Sequence, residues 1–218
     1  MKPIAHIETP FREKFGVPRQ AGLVDCEARV VFEPEYRVAE AVRGVEEFDY
    51  LWLIWQFHLT DRDGWSPTVR PPRLGGNRRV GVFATRSPFR PNPIGLSCVR
   101  LLRVEPGPVL VVQGADLVDG TPILDIKPYL AYADAHPDAR CGFAQVAPQP
   151  ALRLVDDHGL LLQLAEEERT AVEQTLRHDP RPRYQSDPDR TYTMAYGSHE
   201  ITFRVIDHHV EVMAVKPL

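Results

Sequence analysis

The chain has 218 residues, a length suited to one large or two small domains. Its 43% apolar and 26% charged residues are ordinary for a globular protein, and no apolar run approaches the ~18 residues of a membrane-spanning helix. The 21 prolines favour loops and short strands over long helices. Prolines and charges near the start predict no signal peptide, and three isolated cysteines without a CxxC pair favour a reducing cytoplasm.

The net charge of −4 conceals a basic stretch between Trp65 and Ala115. Eight arginines and a single acidic residue, Glu105, lie within it. Such asymmetry indicates contact with phosphate or nucleic acid. The alternative is a solvated face that acidic residues from elsewhere in the fold neutralise.

The first portion of the chain predicts many short strands separated by tight turns. The predicted strands cover residues 28–32, 48–59, 80–85, 96–104, 109–113 and 116–118, with one short helix near 36–43. Alternating βαβ units are absent from this pattern. Short strands with tight turns favour a closed or nearly closed barrel.

After residue 130 the composition changes. Residues 131–150 are rich in Ala, Pro and Asp and predict a linker. Residues 160–177 carry apolar side chains at helical spacing with glutamates between them, which predicts a helix. Three short strands at 192–196, 200–206 and 210–215 would complete a small α+β module.

Several familiar motifs are missing from the sequence. There is no GxGxxG after a strand and no Walker loop, which argues against a doubly wound nucleotide-binding fold. There is no HExxH and no Cys/His cluster, so no metal site is expected.

The arginine–proline loop, residues 86–93, carries the strongest local signal. Arg86 and Arg90 stand among three prolines, each of which fixes its φ angle near −65°. A stiff cationic loop loses little entropy when it binds an anionic or planar partner. The alternative is a proline-rich surface turn.

Three further segments have compositions that suit a binding site. Residues 15–22 combine two glycines, a proline, Arg19 and Gln20, which can bring backbone groups close to a ligand. His58 ends a very apolar strand, where a core or rim histidine is the alternative. In a strand, Asp125, Lys127 and Tyr129 would share one face and form a compact polar site. A salt bridge beside a surface tyrosine explains the same residues without chemistry.

In chain order these segments are FGVPRQAGL, an aromatic strand ending in FHLT, RPPRLGGNRRVGVFATRSPFRPNPIGLS and DGTPILDIKPYL. Together they resemble the TrmO/TsaA-like family of S-adenosylmethionine-dependent tRNA methyltransferases, over most of residues 1–135. The string Asp179-Pro180-Arg181-Pro182, after a predicted helix, also resembles the smaller C-terminal domain of the bacterial members.

The resemblance implies a mainly β protein with a single-sheeted β-barrel, working as a cytoplasmic homodimer on tRNA. Residues 1–140 would be the S-adenosylmethionine-binding catalytic barrel, and residues 150–218 a small α+β domain with a role in tRNA recognition. The implied reaction methylates N6 of the threonylcarbamoyl-modified adenosine at position 37 of tRNA. Two alternatives stay open: a nucleic-acid-binding module without catalysis, and a methyltransferase acting on another acceptor.

The resemblance and the residue chemistry assign roles to individual positions. The expected contacts of S-adenosylmethionine are Pro18, Arg19, Gln20, His58, Leu59, Arg86, Leu96, Asp119, Gly120, Thr121 and Pro122. Asp125 is expected to be the base that takes the acceptor's proton, and Lys127 and Tyr129 either orient it or hold the acceptor's carboxylate. The expected RNA contacts are Arg70, Arg73, Arg78, Arg79, Arg90, Asn92, Arg181, Arg183 and Tyr184.

Overall fold

The structure is a computed structural model that describes residues 1–60, 64–182 and 187–218. Arg183 and Tyr184, two of the predicted RNA contacts, lie outside the described residues.

Short strands dominate the described part of the chain. The strands are β1 (Ala5–Glu8), β2 (Glu27–Phe32), β3 (Tyr50–Gln56), β4 (Thr68–Val69), β5 (Val80–Gly81), β6 (Ile94–Glu105), β7 (Val109–Gln113), β8 (Pro122–Pro128), β9 (Arg153–Val155), β10 (Thr191–Tyr196), β11 (His199–Ile206) and β12 (His209–Pro217). The α-helices are α1 (Ala131–Asp134) and α2 (Glu166–Arg177), and single 3₁₀ turns lie at Ala39–Val42, Val45–Glu47, Pro72–Leu74, Val82–Ala84, Gly142–Ala144 and Leu160–Gln163.

Six strands close into a barrel in the order β1-β2-β7-β6-β3-β8, with antiparallel neighbours throughout. Closure leaves no strand edge unpaired, which suits strands this short. Along β3, Leu51 and Leu53 point inward and are fully buried, while Trp52 and Ile54 alternate outward. The predicted mainly β barrel is confirmed.

A smaller α+β unit follows the barrel. Its sheet has the order β10-β11-β12-β9, with β9 parallel to β12 and the other pairs antiparallel. Helix α2 buries Ala171, Val172 and Leu176 in the hydrophobic core of this unit, and three glutamates fill its first turn. Acidic side chains there interact favourably with the helix dipole. The predicted α+β C-terminal region is confirmed.

The two units share a hydrophobic core. Phe11, Val24 and Cys26 come from the barrel half of the chain, yet they are buried in the cluster built by α2 and the second sheet. Asp25 and Gln174 also exchange two hydrogen bonds, at 2.6 and 2.8 Å. The segment between β1 and β2 is therefore packed into both units.

One strand prediction, 80–85, is right only at Val80–Gly81, and another, 116–118, is wrong, for the same physical reason. Residues 82–84 form a 3₁₀ turn, because the Arg90 guanidinium, rather than a neighbouring strand, binds the carbonyls of Val82 and Thr85. Residues 116–118 are not in a strand, and the Leu117 carbonyl accepts a hydrogen bond from the Thr9 hydroxyl. Side chains satisfy these backbone groups instead of a ladder.

Candidate active site

A cavity of about 450 Å³ opens where β3 ends and β6 begins. This volume lies in the range of small-molecule sites. The cavity, called here the barrel cavity, is lined by Lys14, Val17, Pro18, Arg19, Gln20, Trp55, Phe57, His58, Leu59, Thr85, Arg86, Pro88, Arg90, Ile94, Gly95, Leu96, Asp116, Leu117, Val118 and Thr121. Residues of the 15–22 segment, His58 and the arginine–proline loop thus meet in one place, and the segment 119–129 contributes Thr121.

The close approach of Trp55 to Gly95 forms one wall of the barrel cavity. The two residues are register partners, and a Cβ at Gly95 would lie 2.2 Å from the nearest indole atom. Only glycine leaves room for the ring there. The indole nitrogen of Trp55 donates to the hydroxyl of Ser97 at 2.9 Å.

Asp116 ends this chain of hydrogen bonds, and sequence reasoning missed it. The Ser97 hydroxyl donates to the Asp116 carboxylate at 2.5 Å. Because an indole N–H can only donate, the Ser97 proton is left to point at Asp116. Desolvation raises the pKa of Asp116, while hydrogen bonds from Ser97 and the backbone of Ala21 and the charge of Arg86 act in the opposite direction. An acid outside any turn signal, after the buried strand β7, was the available clue.

The Pro18-Arg19-Gln20 loop connects the barrel cavity with the second unit. The Arg86 guanidinium donates to the side-chain carbonyl of Gln20 at 2.7 Å. The Arg19 guanidinium donates to the backbone carbonyls of Asp179 and Arg181, at 3.2 and 2.9 Å. Arg19 therefore lines the cavity and also holds the segment after α2.

The rim of the barrel cavity is apolar around a histidine. Leu59 and Leu96 are 39% and 49% exposed, which is high for leucine. His58 lies among the lining residues, and desolvation lowers its pKa. Its imidazole is consequently neutral at pH 7 and able to accept a proton.

The turn at 119–122 contributes less to the cavity than expected. Of its residues only Thr121 lines the barrel cavity. The backbone N–H groups of Asp119 and Gly120 donate to the carbonyls of Phe11 and Ile7, and the Asp119 carboxylate accepts a hydrogen bond from the backbone of Thr9 at 2.9 Å. These groups tie the turn to the end of β1.

Asp125, Lys127 and Tyr129 do not line the cavity. Ile126 packs against the barrel core, so Asp125 and Lys127 lie on the outer face of β8. The two are paired at 3.0 Å, and the Tyr129 ring packs against Trp52 at 5.9 Å. Within one chain these three residues therefore match the alternative of a salt bridge beside a tyrosine, and they are not part of the cavity.

A second, larger opening of about 1,750 Å³ adjoins the barrel cavity and shares lining residues with it, among them Gln20, Thr85 and Arg86. Arg70, Arg73 and Arg79 line this basic groove. Arg78 and Asn92 are exposed but line neither opening.

Two aromatic side chains project from the wall of the basic groove. Trp65 and Phe83 are 51% and 72% exposed, and their rings stack with centroids 6.4 Å apart. The Arg90 guanidinium lies 5.7 Å from the Phe83 ring centroid. Sequence reasoning did not select either aromatic residue, although each follows or precedes a turn in the arginine-rich stretch.

Some arginines of the predicted set have structural partners. Arg181 also lines the basic groove, but its side chain is only 11% exposed and forms a fork with the Asp179 carboxylate at 2.8 and 3.0 Å. Arg103, from the basic stretch, pairs with Glu27 and Glu105. The neutralised face thus describes Arg103, whereas Arg70, Arg73 and Arg79 line the basic groove.

Among the described residues, no three His, Cys, Asp or Glu side chains are grouped so that they could hold a metal ion. No helix in the described ranges has the length and apolarity to cross a membrane.

The fold and the site define a class: a closed β-barrel with a ligand-sized cavity, an adjoining arginine-lined groove and a small α+β unit. Two family models match the chain. The tRNA-methyltransferase O N-terminal domain matches residues 6–135, and the TrmO C-terminal domain matches residues 158–218. The chain belongs to the TrmO family.

Individual relatives agree with this assignment. The chain is 44% identical over 226 residues to tRNA (adenine(37)-N6)-methyltransferase of Escherichia coli, covering 98% of this chain and 96% of that protein. It is 51% identical over 160 residues to the protein of the same name from Eikenella corrodens, covering 72% of this chain and 91% of that protein. The crystal structure of TrmO from Pseudomonas aeruginosa superimposes with a TM-score of 0.78 at 33% identity, covering 98% of this chain and 97% of that one.

Proposed function

We propose that this protein is an S-adenosylmethionine-dependent tRNA methyltransferase that methylates N6 of the threonylcarbamoyl-modified adenosine at position 37. One observation carries the proposal: eight of the eleven residues expected to contact the methyl donor meet around the barrel cavity. The full-length similarity to the Escherichia coli tRNA (adenine(37)-N6)-methyltransferase supports the same reaction.

The lining of the barrel cavity fits the methyl donor chemically. The donor has an aromatic base, a carboxylate and a positively charged sulfur that activates the methyl group. Trp55 and Phe57 offer ring surface, and Leu96 offers exposed aliphatic surface. Arg86, held by Gln20, is suited to the carboxylate, because guanidinium and carboxylate form strong charge-assisted hydrogen bonds.

The basic groove is the proposed path of the tRNA. Its arginines at 70, 73 and 79 suit phosphates, and the exposed Trp65–Phe83 stack suits unpaired bases of a loop. The groove and the cavity share lining residues, so an adenosine displaced from the loop would face the donor. Arg181 is better assigned to holding the segment after α2 than to RNA contact.

Transfer forms a bond from N6 to the methyl carbon, breaks the methyl–sulfur bond with its electron pair left on sulfur, and releases the N6 proton. Most of the acceleration would come from alignment of the three atoms. Within one chain His58 is the neutral base that lines the cavity, whereas Asp125 lies on the outer face of the barrel.

A homodimer is part of the proposal, because it offers Asp125 a route to the reaction. In a dimer the outer face of β8 in one chain can meet the cavity of the other. Mixing His58→Gln with Asp125→Asn chains then restores activity, since one of the two sites in a mixed dimer is intact. Failure of mixing to restore activity that each variant lacks would refute a site shared between the two chains, and full activity of Asp125→Asn alone would remove Asp125 from the mechanism.

The reaction is tested by incubating the protein with S-adenosylmethionine and tRNA that carries or lacks the threonylcarbamoyl group. Nucleosides are then released and weighed by mass spectrometry. One added methyl group on the modified adenosine, and none on unmodified adenosine, is the expected result. Transfer to unmodified tRNA alone would assign another acceptor, and no transfer with normal donor binding would refute the proposed reaction.

A further inference from the structure

Asp116 is the only acidic side chain among the described residues that line the barrel cavity. Four cationic side chains share the lining: Lys14, Arg19, Arg86 and Arg90. Those cations donate hydrogen bonds to neutral oxygens, including the Leu59 carbonyl for Lys14 and the Gln20 amide for Arg86. The cavity thus has one anionic point in a cationic surrounding.

The protein holds this carboxyl group in place with hydrogen bonds that it accepts. The fixed direction of the Trp55–Ser97–Asp116 hydrogen bonds points a proton at one carboxylate oxygen. The backbone of Ala21 supplies a second hydrogen bond. An ionised carboxylate has about four acceptor positions, so part of its capacity is left for a ligand in the cavity.

A partly desolvated anion is costly unless a cation approaches it. Arg86 supplies one such charge, but its guanidinium is also the group best suited to the donor's carboxylate. A ligand whose carboxylate pairs with Arg86 would weaken the interaction between Arg86 and Asp116. A positive charge on the same ligand would compensate Asp116 for that loss. S-adenosylmethionine has that charge on sulfur, and S-adenosylhomocysteine, the product, does not.

We propose that Asp116 recognises the sulfonium charge of the methyl donor and thereby favours the donor over the demethylated product in the barrel cavity. The inference rests on the proposed use of S-adenosylmethionine. It assigns Asp116 a role in donor specificity and in product release: the attraction disappears when the methyl group leaves, because the sulfur becomes neutral.

The test is calorimetric titration of the full-length protein, without RNA, with both ligands. Asp116→Asn should raise the dissociation constant of S-adenosylmethionine by about tenfold or more, as expected for losing a charge-assisted contact. The dissociation constant of S-adenosylhomocysteine should change by less than about twofold. An analogue with a protonated amine in place of the methylsulfonium should also bind Asp116→Asn more weakly, since it carries a positive charge at the same position.

Two controls separate charge from packing. Ser97→Ala removes the hydroxyl but keeps the charge of Asp116, so the ratio of the two dissociation constants should stay within about twofold. Asp157→Asn makes the same chemical change at an exposed site outside both openings and should change neither constant. Thermal unfolding checks each variant, and Asp116→Ser replaces Asp116→Asn if the latter does not fold.

Equal weakening of both ligands would overturn the inference, because Asp116 would then recognise the amino group that they share or merely hold Arg86. Unchanged binding of both would overturn it as well. These results leave the proposed function intact if methyl transfer to tRNA is observed. Absence of donor binding by the unaltered protein would instead refute the proposed function together with this inference.

Discussion

At the residue scale, the contact between Gly95 and Trp55 determines the shape of the barrel cavity. Trp55 is 7% exposed, and its indole nitrogen is bonded to Ser97. The ring cannot turn away from position 95 without breaking that bond. The site therefore depends on a residue that has no side chain of its own.

Gly95→Ala should destabilise the protein and weaken donor binding. The added methyl group would lie 2.2 Å from the indole, and overpacking of this kind costs about 1–3 kcal/mol of unfolding free energy. Denaturant unfolding and calorimetric titration measure the two effects. Gly81→Ala is the matched control, because its φ of −58° is ordinary and an added Cβ there meets nothing within 4 Å. Equal stability of the two variants would contradict the proposed contact.

His58 predicts the pH dependence of the reaction. Desolvation lowers its pKa, so the neutral, proton-accepting form prevails at pH 7 and is lost only as the pH falls through the lowered pKa. The rate kcat/KM should therefore be flat near neutrality and fall on the acid side, below about pH 6.5. His58→Gln should lose this acid limb together with most of the rate. An unchanged pH profile in the variant would assign the base elsewhere.

At the element scale, the stretch from Trp65 to the start of β6 presents the aromatic and basic side chains of the groove. Its strands are only two residues long, and a 3₁₀ turn replaces the strand expected at 80–85. The Arg90 guanidinium stabilises that turn through two carbonyls. The turn places Phe83 beside Trp65. Arg90, which is predicted to contact RNA, therefore also positions an aromatic residue that suits RNA contact.

Replacing both Trp65 and Phe83 with alanine should weaken tRNA binding about 5- to 150-fold, since stacking of one base is worth about 1–3 kcal/mol. Donor affinity should change little, because neither residue lines the barrel cavity. Filter binding at fixed salt measures the first, and calorimetry the second. Met213→Ala, on an exposed position of β12, is the control. An unchanged tRNA affinity in the double variant would show that the RNA does not bind along this groove.

The sequence predicted most strands of the barrel because their apolar alternation is local. It did not predict β1, β4 or β9, which are four, two and three residues long and depend on their partners. It considered a strand around residues 125–129 only as a condition and did not assign β8. The sequence motifs identified most residues that line the cavity. They could not reveal that the Asp119 carboxylate accepts a hydrogen bond from Thr9 or that Asp125 faces outward. The role of Asp116 was missed for the same reason, because it depends on Ser97 and Arg86, which are distant in the chain.

At the scale of the whole molecule, the shared core predicts that the two units unfold together. Phe11 is 1% exposed and packs edge-on against Tyr196 at 5.3 Å. Because Phe11 belongs to one half of the chain and Tyr196 to the other, loss of either unit exposes apolar surface of its neighbour.

Phe11→Ala should lower the free energy of unfolding by about 3–5 kcal/mol and shift both units equally. The three tryptophans all lie in the barrel half, so their fluorescence reports the barrel, whereas far-UV circular dichroism reports chiefly α2. The two probes should give coincident denaturant transitions before and after the substitution. Phe83→Ala, at an exposed ring, should leave the midpoint in place. Separate transitions would show that the core does not couple the units.

The packing of Phe11, Val24 and Cys26 also governs how the chain can be recombined. Consider a chimera that joins this barrel to the rear unit of another family member at residues 140–150. Its three apolar side chains would pack against a core for which they were not selected. A graft should therefore transfer residues 10–26 together with the rear unit, because the two segments pack in the same core. A barrel intended to stand alone would need polar replacements at those three positions before anything else is changed.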